Sequence, residues 1–176
     1  MANMAYISHE VNKLVYKHHT RNPYELCDEL GIRVCLRNLG ADINAYYHYF
    51  ARISTILLNE RVPEHMRRTL VAHELGHDRL HREIAVLKGF QEADIFEMVQ
   101  PTEYEANIFA AELLIEDEEL MELLNDDSKS FFGVARELCV PADLLDFKFR
   151  VLKHKGYRIE APYIASRGFL KEFDQI

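Results

Sequence analysis

His73 and His77 lie four residues apart, and Glu74 directly follows the first of them. Four residues are close to one turn of an α-helix, so both imidazoles would project from the same side and could reach one metal ion. Glu74 would point to the flank, where a carboxylate can take a proton from a water activated by the metal without filling a coordination position. The HExxH pattern therefore predicts a helix that carries a metal site, with Glu74 as the catalytic base.

A third ligand must come from elsewhere, because a catalytic zinc ion usually has three protein ligands and one open position. The segment 102–116 is predicted to be a helix and contains Glu103, Glu105 and Glu112. Helical phase favours Glu103, which lies near the centre of the apolar face, whereas the other two fall on the polar side. Thr102 and Glu105 also have the spacing of a capping box, which gives Glu105 a different role. We therefore predict Glu103 as the third ligand.

Three further residues are candidates for supporting roles. Asn107 is one turn beyond Glu103 and could support it from outside the coordination sphere. His81 could be a fourth metal contact, a donor that stabilises the transition state, or a capping residue near the helix end. A role other than ligand is favoured, because a fourth protein ligand would close the site to water. Tyr104 is a second candidate for the stabilising donor.

The surrounding sequence predicts an α+β fold that is mostly helical. Apolar periodicity and start and stop signals indicate five helices, and three short β-branched or aromatic runs indicate a small antiparallel sheet before the HExxH helix. The predicted helices span 4–19, 23–30, 64–80, 102–116 and 131–152, and the strands span 32–36, 46–50 and 54–58. The strand at 54–58 directly precedes the motif helix, and as a sheet edge it could pair with an extended peptide substrate.

The chain is expected to divide into a core and an extension. Residues 1–120 would form the core that holds the site, and 121–176 a helical C-terminal extension that packs on it and could bind a partner. Residues 82–101 show no clear pattern and are interpreted as a short helix followed by a loop over the cleft. The tail 161–176 is more simply a terminus packed on the surface than a segment that gates the cleft.

Composition excludes several classes of protein. With 176 residues, 48% of them hydrophobic and 28% charged, the chain is expected to fold rather than to be disordered. A net charge of -8 argues against direct binding to nucleic acid. Three cysteines without a metal-ligand spacing indicate free thiols in a reducing compartment. Neither a signal peptide nor a membrane span is predicted, so a cytoplasmic protein is expected.

Three blocks of the sequence resemble the ImmA/IrrE metallopeptidase family. They are His-Glu-Leu-Gly-His with Leu80 and His81 after it, the run at 103–114, and the run at 22–32. The resemblance implies a zincin-like fold and a zinc ion held by His73, His77 and Glu103, in agreement with helical phase. Ile115 and Glu116 stand where the family often has Met-Pro, which favours the ImmA-like branch of phages and integrative elements.

Members of that branch act as anti-repressors that cleave, or promote cleavage of, a helix-turn-helix repressor. The resemblance therefore implies a zinc metallo-endopeptidase with such a repressor as its protein substrate. Two alternatives remain open. One is a non-catalytic regulatory module, with a structural metal or none, that binds and sequesters the repressor. The other is a DNA-binding regulator, because 131–152 loosely resembles a helix-turn-helix, although the acidic charge argues against it.

Overall fold

The computed structural model describes residues 3–87, 95–126 and 128–159. Within them the chain forms an α+β fold, as predicted, whose elements are α1 (Met4–His18), α2 (Pro23–Glu29), β1 (Arg33–Arg37), β2 (Ala45–Phe50), β3 (Ile53–Asn59), α3 (Glu64–Leu87), α4 (Ile95–Leu114), α5 (Asp117–Leu124), α6 (Phe131–Glu137) and α7 (Ala142–His154). In this part of the chain no helix has both the length and the apolar character needed to cross a bilayer. Of the segment 82–101, predicted as a short helix and a loop, residues 82–87 continue α3 and 95–101 belong to α4, so a loop is wrong for 95–101. Residues 88–94 and the tail 161–176 lie outside the described residues.

The three-stranded sheet is mixed, so the prediction of a purely antiparallel sheet was wrong. Its order is β1-β3-β2, with β3 antiparallel to β2 and parallel to β1. A two-residue turn at Ala51 and Arg52, both at positive φ, joins β2 to β3 and makes that pair antiparallel. β1 adds to the other side of β3. Alternating hydrophobicity identified the strands but carries no information about which strands become neighbours.

This strand order also corrects the predicted substrate edge. β3, which contains the 54–58 segment, is the central strand and is hydrogen-bonded along both sides. Its backbone groups are therefore already used within the sheet. An extended peptide could pair only with one of the outer strands.

Some helix boundaries follow the sequence signals and others do not. Asn22 caps α2 as expected, because its side-chain oxygen accepts a hydrogen bond from the backbone N–H of Tyr24 at 3.0 Å. The capping box at Thr102 and Glu105 was wrong, since α4 begins at Ile95 and continues through Pro101. The predicted helix 131–152 is two helices, α6 and α7.

Helix α4 is enclosed by neighbouring helices on several sides. It lies against α3 on one side, and α1 and α7 pack on others. At the crossing with α3, a Cβ atom on Gly76 would approach the Cα of Ala106 and the Cβ of Phe109 to 3.2 Å each, which is a tight contact, so glycine allows the helices to pack closely here. Because α4 is covered on several sides, Glu112 is buried rather than on a polar surface, contrary to the helical-phase prediction.

Candidate metal centre

The structure brings together His73 and His77 of α3 and Glu103 of α4. The Nε2 atoms of the two histidines are 3.2 Å apart. Glu103 places Oε2 3.4 Å from Nε2 of His73 and Oε1 3.6 Å from Nε2 of His77. Among the described residues, these three form the group of side chains that could hold a metal ion.

The spacing of these atoms fits a tetrahedral ion. Imidazole nitrogens and carboxylate oxygens lie about 2.0–2.1 Å from zinc, and tetrahedral geometry then separates any two ligand atoms by about 3.3 Å. The observed separations of 3.2, 3.4 and 3.6 Å lie close to this value. Two imidazoles and a carboxylate are also a donor set that supplies three ligands and leaves a fourth position open. The residues present therefore fit a metal ion.

His73 is oriented by Asn107, one turn beyond Glu103 on α4. The side-chain oxygen of Asn107 lies 2.8 Å from Nδ1 of His73, so Nδ1 donates and Nε2 keeps its lone pair towards the cluster. Asn107 therefore supports His73, while its predicted support of Glu103 stays a prediction. Burial alone would lower the pKa of His73, but Glu103, Glu74 and Asn107 outweigh it, and the pKa is raised. The surroundings thus favour positive charge at this point.

Glu74 is buried beside the cluster, with 6% of its surface exposed. Its negative charge contributes to the raised pKa of His73. It is not one of the three grouped ligands. This placement, next to the ligands but outside their set, is the one that the HExxH pattern predicts for a proton acceptor.

His81 lies behind His77, on the side away from Glu103. Nδ1 of His81 is 3.1 Å from Nδ1 of His77, and its Nε2 is 2.9 Å from Oε2 of Glu105. Burial, only partly offset by Glu105, lowers the pKa of His81. Helical phase missed this use of Glu105. The spacing of His81 from His77 was the available signal, because it repeats the four-residue step of the ligand pair.

Tyr104 is placed towards α7. Its ring packs against Phe147 with centroids 5.6 Å apart, and the guanidinium of Arg150 lies 5.8 Å from the ring centroid. Both of these contacts are with α7. A role as a stabilising donor for Tyr104 therefore stays a prediction.

A second polar cluster fixes α3 to the sheet. Asp78, directly after His77, is fully buried and accepts hydrogen bonds from Tyr47 of β2 at 2.7 Å and Ser54 of β3 at 2.8 Å. Arg82 donates to both carboxylate oxygens of Asp78, at 2.9 and 2.7 Å. Burial, together with the hydrogen bond to Asp78, raises the pKa of Tyr47 to about 12. The motif helix is thus anchored to β2 within one residue of His77.

The fold and a side-chain cluster that could hold a metal ion agree with what comparison with known proteins shows. The model of a peptidase family described as IrrE N-terminal-like domain matches residues 27–150. The chain belongs to this ImmA/IrrE family.

Two curated relatives are similar over most of their length. "Uncharacterized immunity region protein 2" of Bacillus phage phi105 is 36% identical over 143 residues, which are 78% of this chain and 89% of the relative. "Metallopeptidase ImmA" of Bacillus subtilis (strain 168) is 29% identical over 168 residues, 92% of this chain and 95% of the relative.

Proposed function

We propose that this protein is a zinc-dependent endopeptidase that cleaves a helix-turn-helix repressor of a mobile element and thereby relieves repression. The observation that carries the proposal is the cluster of His73, His77 and Glu103 at tetrahedral spacing, with buried Glu74 beside it. A site with three ligands, one open position and an adjacent carboxylate has the parts that peptide hydrolysis requires.

Zinc, when bound by the three ligands, supplies a Lewis acid that makes water a stronger nucleophile and polarises the scissile carbonyl. Glu74 accepts the proton of the attacking water and then delivers it to the nitrogen of the leaving amine. Asn107 keeps His73 oriented with Nε2 towards the cluster throughout. The burial of Glu74 keeps bulk water away from this proton transfer.

The outer edge of β2 is the proposed place for the substrate backbone. In the described part of the chain, β2 pairs with β3 on one side and has no strand on the other. Tyr47 ties β2 to Asp78, so this edge is held in a fixed relation to the ligand helix. An extended peptide that adds to this edge would gain main-chain hydrogen bonds and be aligned beside the metal centre.

The proposed substrate follows from the relatives and from the resemblance. One relative is named for a phage immunity region and the other as a metallopeptidase. We carry both descriptions over to this chain and infer a peptidase whose substrate is a repressor. A small helix-turn-helix protein encoded beside the gene for this chain is therefore the first substrate to test.

The test is Glu74→Gln, which keeps the size of the side chain but removes its ability to take a proton. Cleavage of the neighbouring repressor should fall by about 100- to 10,000-fold, the usual contribution of a general base. Zinc content, measured by elemental analysis, should stay at the wild-type level. Glu64→Gln is the matched control, because it makes the same change at an exposed position of the same helix.

The same variant separates cleavage from sequestration. Relief of repression in cells should disappear together with cleavage. A Glu74→Gln protein that still relieves repression while cutting nothing would contradict the proposal and favour a module that sequesters the repressor.

A further inference from the structure

We propose that His81 and Glu105 form a positioning relay that holds His77 in the single tautomer able to bind the metal ion. The relay runs from Nδ1 of His77 to Nδ1 of His81 at 3.1 Å, and from Nε2 of His81 to Oε2 of Glu105 at 2.9 Å. It rests on the metal site of the proposed function, but it does not depend on what that site cleaves.

The direction of the hydrogen bonds is fixed by the chemistry of the two ends. A histidine that binds a metal ion through Nε2 carries its proton on Nδ1, so His77 must donate to His81. His81 then accepts at Nδ1 and, as a neutral imidazole, carries its own proton on Nε2. That proton points to Glu105, whose ionised carboxylate can only accept. Each proton therefore has one position along the relay.

Glu105 selects this arrangement over the reverse one. If His81 donated from Nδ1, its Nε2 would be an acceptor facing the Glu105 oxygen at 2.9 Å, and no proton would lie between them. The proton of His77 would then be on Nε2, where it blocks the ligand lone pair. Glu105 disfavours this state by requiring a donor at Nε2 of His81.

The position of His81 argues against a fourth ligand. Its ring meets the Nδ1 side of His77, whereas Glu103 and His73 meet the Nε2 side. The regular helical backbone of α3 is also interrupted at His81, with φ -131° and ψ 18°, although no proline is present in this helix. The interruption lies at His81, whose ring contacts His77 on α3 and Glu105 on α4.

The two metal-binding histidines are therefore supported in different ways. His73 uses an amide, Asn107, which is completely buried. His77 uses a second histidine and a carboxylate that is 28% exposed in its side chain. Partners outside the coordination sphere typically contribute 10–100-fold to metal affinity, so removal of either part of the relay should be measurable.

The experiment measures Zn²⁺ affinity by competition with a chromophoric chelator, on the full chain and without substrate. Glu105→Ala and His81→Phe should each weaken Zn²⁺ binding by about 10–100-fold. The double variant should bind no more weakly than the weaker single variant, because both changes break one relay. Glu105→Gln should bind nearly as well as wild type, since its amide oxygen still accepts from His81.

Glu83→Ala is the matched control, at an exposed position of α3 two residues after His81, and should leave affinity unchanged. In the zinc-loaded protein, ¹⁵N NMR should find the proton of His77 on Nδ1 and that of His81 on Nε2. If His81→Phe does not fold, the Glu105 variants still provide the test.

Three outcomes would overturn the relay. One is wild-type affinity in both Glu105→Ala and His81→Phe. Another is an affinity of Glu105→Gln as low as that of Glu105→Ala, which would show that only the negative charge matters. The third is a wild-type protein that binds no Zn²⁺. A wild-type protein that binds Zn²⁺ with the expected variant pattern but cleaves nothing would leave the relay intact and remove the proposed function alone.

Discussion

Two carboxylates of helix α4, Glu103 and Glu112, have opposite surroundings. Glu112 faces cations that the chain itself supplies: Lys148 is in close contact with it, and Lys155 lies 2.7 Å away. Ser8 also donates to it at 2.5 Å. Glu103 instead faces His73 and His77, which are neutral ligands when a metal ion is bound. Glu112 is therefore neutralised by lysines of the chain and stabilises the fold, whereas Glu103 is grouped with imidazoles and needs a cation from outside the chain.

The two clusters also differ in what they connect. The Glu112 cluster joins α4 to α1, α5 and α7, because Lys148 and Lys155 also contact Asp117 at 2.5 and 2.8 Å. The Glu103 cluster joins α4 only to α3 through groups that can bind metal. The C-terminal end of α4 is thus held by ion pairs within the protein, whereas the part of α4 that carries Glu103 can bind an added metal ion.

The largest expected effect is the difference in the free energy of unfolding between a variant that lacks Glu112 and a variant that lacks Glu103. Glu112→Ala leaves Lys148 buried without its main partner and should cost about 3–5 kcal/mol in the free energy of unfolding. Glu103→Ala should have a much smaller effect on the metal-free protein, yet its zinc affinity should fall by more than the 10–100-fold typical of an outer partner. Urea unfolding and chelator competition measure the two quantities.

Glu116→Ala is the control for this pair, because its exposed ion pair with Arg21 spans 3.7 Å and should contribute at most about 1 kcal/mol. The comparison fails if Glu103→Ala destabilises the metal-free protein as much as Glu112→Ala does.

A smaller effect is expected when the metal ion is added and removed. Zinc at 100 times its dissociation constant should raise the free energy of unfolding by about 2.7 kcal/mol, and a chelator should reverse the gain. Glu103→Ala should lose most of this increment at the same zinc concentration. The increment in Glu112→Ala should equal that of wild type, although its starting stability is lower. Thermal or urea unfolding with and without zinc measures this, and an equal increment in Glu103→Ala would contradict the assignment.

The smallest expected effect is a gradual loss of the free energy of unfolding at acidic pH. Burial alone would raise the pKa values of Glu112 and Asp117, but Lys148 and Lys155 outweigh it and hold both pKa values below their ordinary 4.5 and 3.8. Because the folded-state pKa is the lower one, these charges stabilise the fold above the ordinary values. That contribution is lost as the pH falls through the depressed pKa values.

Urea unfolding of the metal-free protein should therefore show stability decreasing below about pH 4.5. The acid dependence should be weaker in Glu112→Ala than in wild type. An unchanged acid dependence in that variant would mean that other carboxylates control acid unfolding.

The sequence predicted those features that depend on neighbours along the chain. Helical phase separated Glu103 from Glu105, and the structure brings Glu103 to the two motif histidines. The same reasoning failed for Glu112, because one apolar stripe describes a helix with one neighbour, and α4 has several. The site of His81 and Glu105 also escaped prediction, since it depends on the way α3 and α4 cross.

The sheet shows the same limit. Alternation located β1, aromatic residues β2 and β-branched residues β3, each to within about two residues. The parallel pairing of β1 with β3 is a non-local contact, and β1 also packs against α2 while α3 packs against β2 and β3. Local β-propensity does not determine which strands pair with each other.

The close crossing at Gly76 has a consequence for which sequences can carry this site. Gly76 offers no ligand atom, yet a Cβ atom there would lie 3.2 Å from the Cα of Ala106 and the Cβ of Phe109, so a larger residue would require the helices that carry His77 and Glu103 to adjust. A substitution at Gly76 is therefore expected to change the spacing of the candidate ligands, although this residue takes no part in the chemistry.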